Sequence, residues 1–323
     1  MTDFSKEKYV YISSCAEKGG IYLFKFKDGI LSLEDRTEVS RPMYSEICGG
    51  RLFVVFDPRS TDDGEGKAVS FDILPDGRLS SPSEEKPTRG KCPCHLSVLD
   101  GNIYIANYLS GSVVSSDGGI DVHTGRGANT QRQDAPHPHF IFPSPDGKYL
   151  LSCDLGLDSV YTYDFGLNAL RTAKTGEGQG PRHLAYSKDG RYVYCANELG
   201  STVSVFSYDD GRLSLLSTQT TVADGGIINY PAAIKEKDGY IFISNRGENT
   251  IAVFKAEGEK LTPAGRYPSL GDYPWDIGFI EGYAICVNKN SDNITVFSLK
   301  DGALTFKSSI DGIKAPICVT VKE

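Results

Sequence analysis

Residues 181–220 read PRHLAYSKDG RYVYCANELG STVSVFSYDD GRLSLLSTQT. Four β-type runs, HLAYS, RYVYCAN, TVSVFSY and RLSLLSTQT, are separated by the turn signals KDG, ELGS and DDG. Short apolar-rich runs punctuated by Gly and Asp predict a four-stranded antiparallel meander. The module recurs on both sides. Residues 138–173 begin PHFIFPSPDGKYLLSCDLGLDSVYTYDF, residues 231–267 contain YIFISNRGENTIAVFKAEGEKLTPAG, and residues 274–309 contain YAICVNKNSDNITVFSLKDGALTFKSS. Residues 9–39 give a copy that lacks its first strand.

A proline opens each first strand: Pro42, Pro93, Pro138, Pro181, Pro231, Pro274 and Pro316, at intervals of 51, 45, 43, 50, 43 and 42 residues. Seven markers predict seven modules. The last opens APICVTVKE, a single strand, so the C-terminal segment supplies the strand that residues 9–39 lack. Four-stranded units of about 40–50 residues in a ring are the blades of a β-propeller. Closing the ring through both chain ends removes an exposed sheet boundary. A solenoid is the competing architecture, but it has no need of a split module. The expectation is an all-β, seven-bladed β-propeller forming one domain over residues 1–323.

Composition agrees. The 323 residues include 35 Gly and 16 Pro, which favours many short elements over long helices. A hydrophobic content of 39% is enough to build a core and excludes a disordered chain. The net charge of −8 argues against a nucleic-acid partner, whose phosphates need a basic stripe. No apolar run approaches the roughly 20 residues of a membrane-spanning helix, and the charged start MTDFSKEK lacks a leader's apolar stretch. These features predict a cytoplasmic protein with no membrane partner and reduced cysteines. Oligomeric state is not legible.

Aligning the modules gives columns. The residue after each marker proline is Met43, Cys94, His139, Arg182, Ala232, Trp275 or Ile317. Second strands end at Asn107, Asp154, Asn197, Asn245 and Asn288, and the next residues are Tyr108, Leu155, Glu198, Arg246 and Lys289. The uniform Asn/Asp column reads as turn chemistry. The columns beside it hold unlike polar residues, as expected where a repeated scaffold varies one face to bind something. In a propeller these positions converge on one mouth of the central channel. His139, Arg182, Glu198 and Arg246 are therefore the candidate catalytic residues. The segment between Val113 and Pro138 departs from the repeat and is expected to lie over the ring face.

All five histidines, His95, His123, His137, His139 and His183, fall between positions 95 and 183. His137 and His139 form a His-x-His pair that could ligate a metal, with Glu198 as a third ligand. Two arginines brought to the same region argue against a cation, so no metal and no cofactor are expected. Cys153, Cys195, Cys286 and Cys318 sit in apolar strand runs and read as core. Cys92-Pro93-Cys94 reads as structural rather than as a ligand pair. The glycine-rich stretch 176–180 lacks the Lys-Ser/Thr of a phosphate loop and reads as a linker between blades.

With those residues in place, the segments HTGRGANTQRQDAPHPHFIFPSPDGKYLLSCDLGLDSVYTYDF, GPRHLAYSKDGRYVYCANELGSTVSVFSY and ISNRGENTIAVF resemble the lactonase family of seven-bladed propellers. That family includes 6-phosphogluconolactonases of the propeller type and 3-carboxy-cis,cis-muconate lactonizing enzymes. The resemblance covers essentially the whole chain. It implies a metal-independent enzyme acting on a small anionic lactone, with His139, Arg182, Glu198 and Arg246 in its site. One position departs: Trp275 stands where the resemblance leads one to expect Arg, although its neighbour Asp276 fits.

Lactone hydrolysis needs a base to activate water and positive charge at the developing oxyanion. Glu198 and His139 are the candidates for base and proton relay, and Arg182 and Arg246 for anion binding or oxyanion stabilisation. Each arginine is expected to keep Glu198 ionised. His137, His183, Tyr108, Lys289, Trp275 and Asp276 are candidate substrate-binding residues. Lys289 and Arg126 are the cations that could distinguish a phosphorylated lactone. The favoured substrate is 6-phosphogluconolactone. A muconate-type cycloisomerase and a non-catalytic propeller binding a protein partner are the alternatives. A binding platform would present an exposed apolar patch, whereas a lactonase would hold the four catalytic candidates in one polar pocket.

Overall fold

The computed structural model describes residues 8–57, 64–223 and 226–322. The charged first residues on which the leader reading rests thus lie outside the described residues, apart from Lys8. Seven four-stranded antiparallel sheets form the structure, and the described residues contain no helix. None therefore offers a helix long and apolar enough to cross a membrane.

Blade one pairs Pro316–Lys322 with Lys8–Ser14, Gly20–Lys27 and Ile30–Thr37, in that order outward. The C-terminal strand is thus the innermost strand of the N-terminal blade, in antiparallel register from Tyr9↔Lys322 to Ser14↔Pro316. Blades two to seven begin at Pro42, Pro93, Pro138, Pro181, Tyr230 and Pro274, each innermost strand leading outward in chain order. Inner strands touch in sequence around the ring, and blade one sits between blades seven and two.

The sequence dictates where the core lies. Second and third strands are mostly buried, as sheets covered on both faces require, with Ser and Thr interspersed among the apolar residues. Seven hydrophobic clusters fill the seven blade–blade interfaces. Val10, Ile12 and Phe24 of blade one meet Ile285, Val287 and Ile294 of blade seven, so the closing interface is packed like the others. Each fully buried Val, Leu, Ile or Phe contributes about 1.5–3 kcal/mol relative to exposure. Outermost strands face water on one side, and Arg212–Thr220 is mostly exposed.

One device repeats in every inner strand. The register slips just after the marker proline: between Pro42 and Tyr44, Pro93 and His95, Pro138 and Phe140, Pro181 and His183, and Pro274 and Asp276. The slip spans Pro231 to Ile234 in blade six, and Ile317 is skipped in blade one. Proline, with no N–H, suits the first strand position. The skipped residue is a β-bulge, a device that re-aims a side chain. The column of unlike residues read from the sequence is this bulge column.

Candidate active site

The bulge column and the turns leaving the second strands enclose a cavity of about 600 Å³ at one mouth of the channel. Cys94, His139, Arg182 and Trp275 enter from bulges, and Tyr108, Glu198, Arg246 and Lys289 from turns or strand ends. His183 and Asp276 also line it. The four catalytic candidates, spread over more than a hundred residues of chain, share one wall.

Glu198 organises that wall. Its backbone is fixed by the linker at 176–180: Glu198 N donates to Gly180 O at 2.7 Å, and Leu199 N to Gln179 O at 3.0 Å. Gly180 has φ +62, and a Cβ there would come 2.6 Å from Leu199 Cγ, so only glycine fits. The linker is held in turn by Asp158, which accepts from Gly178 N and Gly180 N. On the carboxylate, Arg246 Nη2 lies 2.5 Å and Arg182 Nε 3.1 Å from Oε2, while Arg132 Nη2 lies 2.6 Å from Oε1. Burial alone would raise the Glu198 carboxyl. The charges of Arg246 and Arg182, with Arg132, outweigh it and hold the group well below the ordinary carboxylate range. Arg182 is itself lowered to about 10, first by burial and then by the charge of Arg246, and stays protonated at neutral pH.

His139 sits beside this cluster. Burial, reinforced by the charge of Arg182, pushes its pKa well below 6.5, so the imidazole is neutral. Its Nδ1 is buried and has no hydrogen-bond partner in the structure. Ring centroids of His139 and His183 are 5.3 Å apart at 65°, and those of His183 and His95 are 5.4 Å apart at 77°. These rings meet edge to face, and among the described residues no three His, Cys, Asp or Glu side chains converge as a metal cage. His183 Nε2 accepts from Arg182 Nη1 at 3.3 Å.

The remaining candidates divide. Trp275 carries the cations Lys289 at 4.3 Å, Arg246 at 4.7 Å and Arg182 at 5.5 Å from its ring centroid. Tyr108 lines the cavity, but His137 stands behind it, stacked at 4.3 Å and bonded through Nδ1 to Tyr108 O at 3.0 Å. His137 therefore supports Tyr108 and is absent from the cavity wall. Asp276 reaches the wall, yet its Oδ2 takes Val319 N and its Oδ1 takes Ile277 N, both at 2.9 Å, which ties blade seven to blade one. His123 is buried between Asp154 and Tyr163, at 2.5 Å from each. Cys94 contacts Ala106 O and Pro138 O, and burial pushes its thiol pKa well up. The Asn column is buried and bonds neighbouring strand ends, as Asn245 Nδ2 does to Thr221 O at 2.9 Å.

Blade three is short, with third and fourth strands Ser112–Ser115 and Ile120–Val122. The following loop runs over the ring face and brings in Arg132, which the repeat did not single out. Gln133, fully buried, anchors it through Nε2 to Leu155 O and Asp158 Oδ1, both at 2.8 Å. Arg126, on the same loop, is exposed and outside the cavity wall. Arg41 and Tyr273 were also missed. Each precedes a marker proline, in left-handed conformation at φ 48° and 65°. The column before the proline would have found them.

A closed seven-bladed ring with an arginine-rich polar pocket at its axis defines the class, and the chain belongs to the lactonase family of seven-bladed β-propellers. The family model described as "Lactonase, 7-bladed beta-propeller" matches residues 9–321. The chain is 28% identical to a 6-phosphogluconolactonase of Bacillus subtilis over 348 residues, covering 97% of this chain and 98% of that one. Its structure is similar to that of a putative 6-phosphogluconolactonase from Bacteroides fragilis, with TM-score 0.89, 27% identity and 100% of both chains covered. It is also similar to the periplasmic gluconolactonase of Pseudomonas aeruginosa, with TM-score 0.88, 26% identity, and 98% and 99% covered.

Proposed function

We propose that the protein hydrolyses the lactone of a sugar acid, with 6-phosphogluconolactone as substrate and 6-phosphogluconate as product. The observation that carries the reading is a neutral imidazole on the cavity wall, His139, whose buried Nδ1 has no hydrogen-bond partner, beside guanidinium groups that share the single carboxylate of Glu198. Water gives its proton to His139 as its oxygen adds to the lactone carbonyl. Arg182 and Arg246 stabilise the oxyanion. The ring C–O bond then breaks, and the imidazolium returns the proton to the departing ring oxygen, leaving the open hydroxy acid. Glu198 is the clamp that aims the arginines, since both of its oxygens are engaged and its proton affinity is very low. Its charge also favours the imidazolium that forms. This assigns the base to His139 alone and withdraws that role from Glu198.

The test is turnover of freshly prepared 6-phosphogluconolactone beside gluconolactone, with spontaneous opening subtracted. Catalysed opening that His139→Gln abolishes supports the reading. A wild-type rate no faster than the spontaneous one ends it.

A further inference from the structure

Four residues past the Asn or Asp that closes five of the second strands stand Gly111, Asp158, Ser201, Asn249 and Asp292. All five have a left-handed backbone, with φ between 52° and 63°, which suits Gly, Asn and Asp. The carbonyl of each accepts the N–H of the residue that follows the same blade's fourth strand, at 2.9–3.0 Å. Three of the side chains reach on to the residue before the next marker proline. Oδ1 of Asp158 accepts Gly180 N at 2.7 Å, Oδ1 of Asn249 accepts Tyr273 N at 2.9 Å, and Oδ1 of Asp292 accepts Ala315 N at 2.9 Å. The carbonyls of Gly180, Tyr273 and Ala315 then take the backbone N–H of Glu198, Lys289 and Cys15, all on the cavity wall. A turn in one blade thus places a wall residue of the next.

Among the described residues, Asp158 alone in this column takes a partner from outside the repeat. Its Oδ1 also accepts Gln133 Nε2 at 2.8 Å, and its Oδ2 accepts Gly178 N at 2.8 Å. Gln133 adjoins Arg132, whose Nη2 lies 2.6 Å from Glu198 Oε1. One carboxylate therefore stands behind both members of that pair. It fixes the backbone of Glu198 through Gly180 and the loop of Arg132 through Gln133. Asp158 itself is buried and stands outside the cavity wall. We propose that Asp158 is a positioning residue that couples the loop over the mouth to Glu198, and so to the arginine cluster. The proposal rests on the lactone-hydrolase reading for the step that the cluster serves.

The chemistry of the turn makes the coupling specific to a carboxylate. Gln133 is locked in one orientation, because its Oε1 accepts Asn129 N at 3.0 Å and its Nε2 also donates to Leu155 O at 2.8 Å. An amide at position 158 has one acceptor oxygen where the carboxylate has two. With that oxygen on Gly180 N and Gln133 Nε2, its NH2 group faces Gly178 N. Turned over, it faces the other two donors. Either way a donor meets a donor in a buried turn.

kcat, KM and melting temperature are measured with freshly prepared 6-phosphogluconolactone for the wild type, Asp158→Asn, Gln133→Ala and the double variant. Asp292→Asn is the control, since it has the same latch at Ala315 and keeps the oxygen that makes it. Asp158→Asn is expected to lower kcat roughly tenfold or more and to raise KM as Gln133→Ala does, because a small misplacement caused from a distance is costly to rate. KM in the double variant should not exceed that of Asp158→Asn, as for residues that act as one unit, and Asp292→Asn should stay within about twofold of the wild type. A purely structural Asp158 would lower the melting temperature and leave kcat and KM of the folded enzyme alone. That result, or KM effects that multiply, overturns the coupling.

Hydrogen exchange reads the coupling without turnover and with Asp158 intact. In Gln133→Ala the amides of residues 176–180, joined to Gln133 through Asp158, should exchange about tenfold faster, while those of residues 312–315 keep their wild-type rates. Unchanged exchange at 176–180 overturns the coupling, whether or not Asp158→Asn folds. Faster exchange there in a protein that opens no lactone would keep the coupling and remove the hydrolase reading. Lactone turnover with unchanged exchange would do the reverse.

Discussion

Arg246 Nη2 lies 2.5 Å from Glu198 Oε2, and both side chains are buried, at 4% and 5% exposure. The two residues are 48 positions apart on adjacent blades and occupy the same place in successive repeats, just past Asn197 and Asn245, the Asn that closes each second strand. Carboxylate and guanidinium thus meet because the ring brings equivalent positions side by side. Removing one partner of a buried pair costs about 3–5 kcal/mol, because it leaves the other charge uncompensated. In Glu198→Gln the arginines would confront one another with no anion between them. The melting temperature should fall by about 5–10 °C, and turnover by two orders of magnitude or more, since the guanidinium groups lose their aim. Differential scanning calorimetry and the lactone assay read the two effects. Wild-type values in both would remove Glu198 from the machinery.

His139→Gln separates chemistry from binding. The arginine cluster survives this change, so KM should move less than threefold while kcat falls roughly 10²- to 10⁴-fold. The wild-type pH profile carries a second check. Burial and the charge of Arg182 keep the His139 proton off until well below pH 6.5. The value of kcat/KM, corrected for spontaneous opening, should therefore stay level as pH falls from 8 to 6.5. An acid limb centred at or above 6.5 would assign the base to another group.

The ring was legible because its punctuation is chemical. Proline starts each inner strand where a missing N–H does no harm, and Asn or Asp closes most second strands, where its side chain ties neighbouring strand ends. Unlike residues beside those fixed points marked the mouth. His139, Arg182, Glu198 and Arg246 meet there as the columns required. Arg132 was not legible, because a loop that belongs to no repeat has no column. Arg41 and Tyr273 were legible in principle, since both stand in the column before the marker proline, where a left-handed backbone carries them to the cavity wall. His137 misled for the opposite reason: as His139's neighbour but one it shares the motif, yet the bulge at His139 intervenes and His137 packs behind Tyr108.

Acid should loosen the channel before it reaches the carboxylates. Burial keeps His95, His139 and His183 neutral, each with its pKa well below 6.5. In the unfolded chain these imidazoles titrate near 6.5. Between the folded and unfolded values the unfolded state binds more protons, so stability rises with pH and is lost as pH falls below about 6.5. Each group adds up to about 1.4 kcal/mol per pH unit to that slope. Glu198 adds its own loss below about 4.5, as pH falls toward its depressed folded value. Urea midpoints should be lower at pH 5.5 than at 7.5. His95→Phe, which keeps the packing against Tyr44 and Phe140, should reduce the difference. Equal midpoints in the wild type would contradict the account.

The loop over the ring face makes the last distinction. Arg132 is 38% exposed and meets Glu198 through one oxygen, so Arg132→Ala should change stability by less than about 1 kcal/mol. Its charge nonetheless belongs to the cavity wall, and loss of it should raise KM for an anionic lactone several-fold while kcat falls less. Gln133→Ala acts differently. Gln133 is buried and holds the loop to Leu155 and Asp158, so two bonds and their geometry go together. Its KM should rise as in Arg132→Ala, because Arg132 is no longer held in place, and the loop should also become a site of limited proteolysis. If Arg132→Ala exposes the same cleavage site, the arginine anchors the loop rather than serving the ligand. If neither variant alters KM, the loop covers the mouth without taking part in recognition.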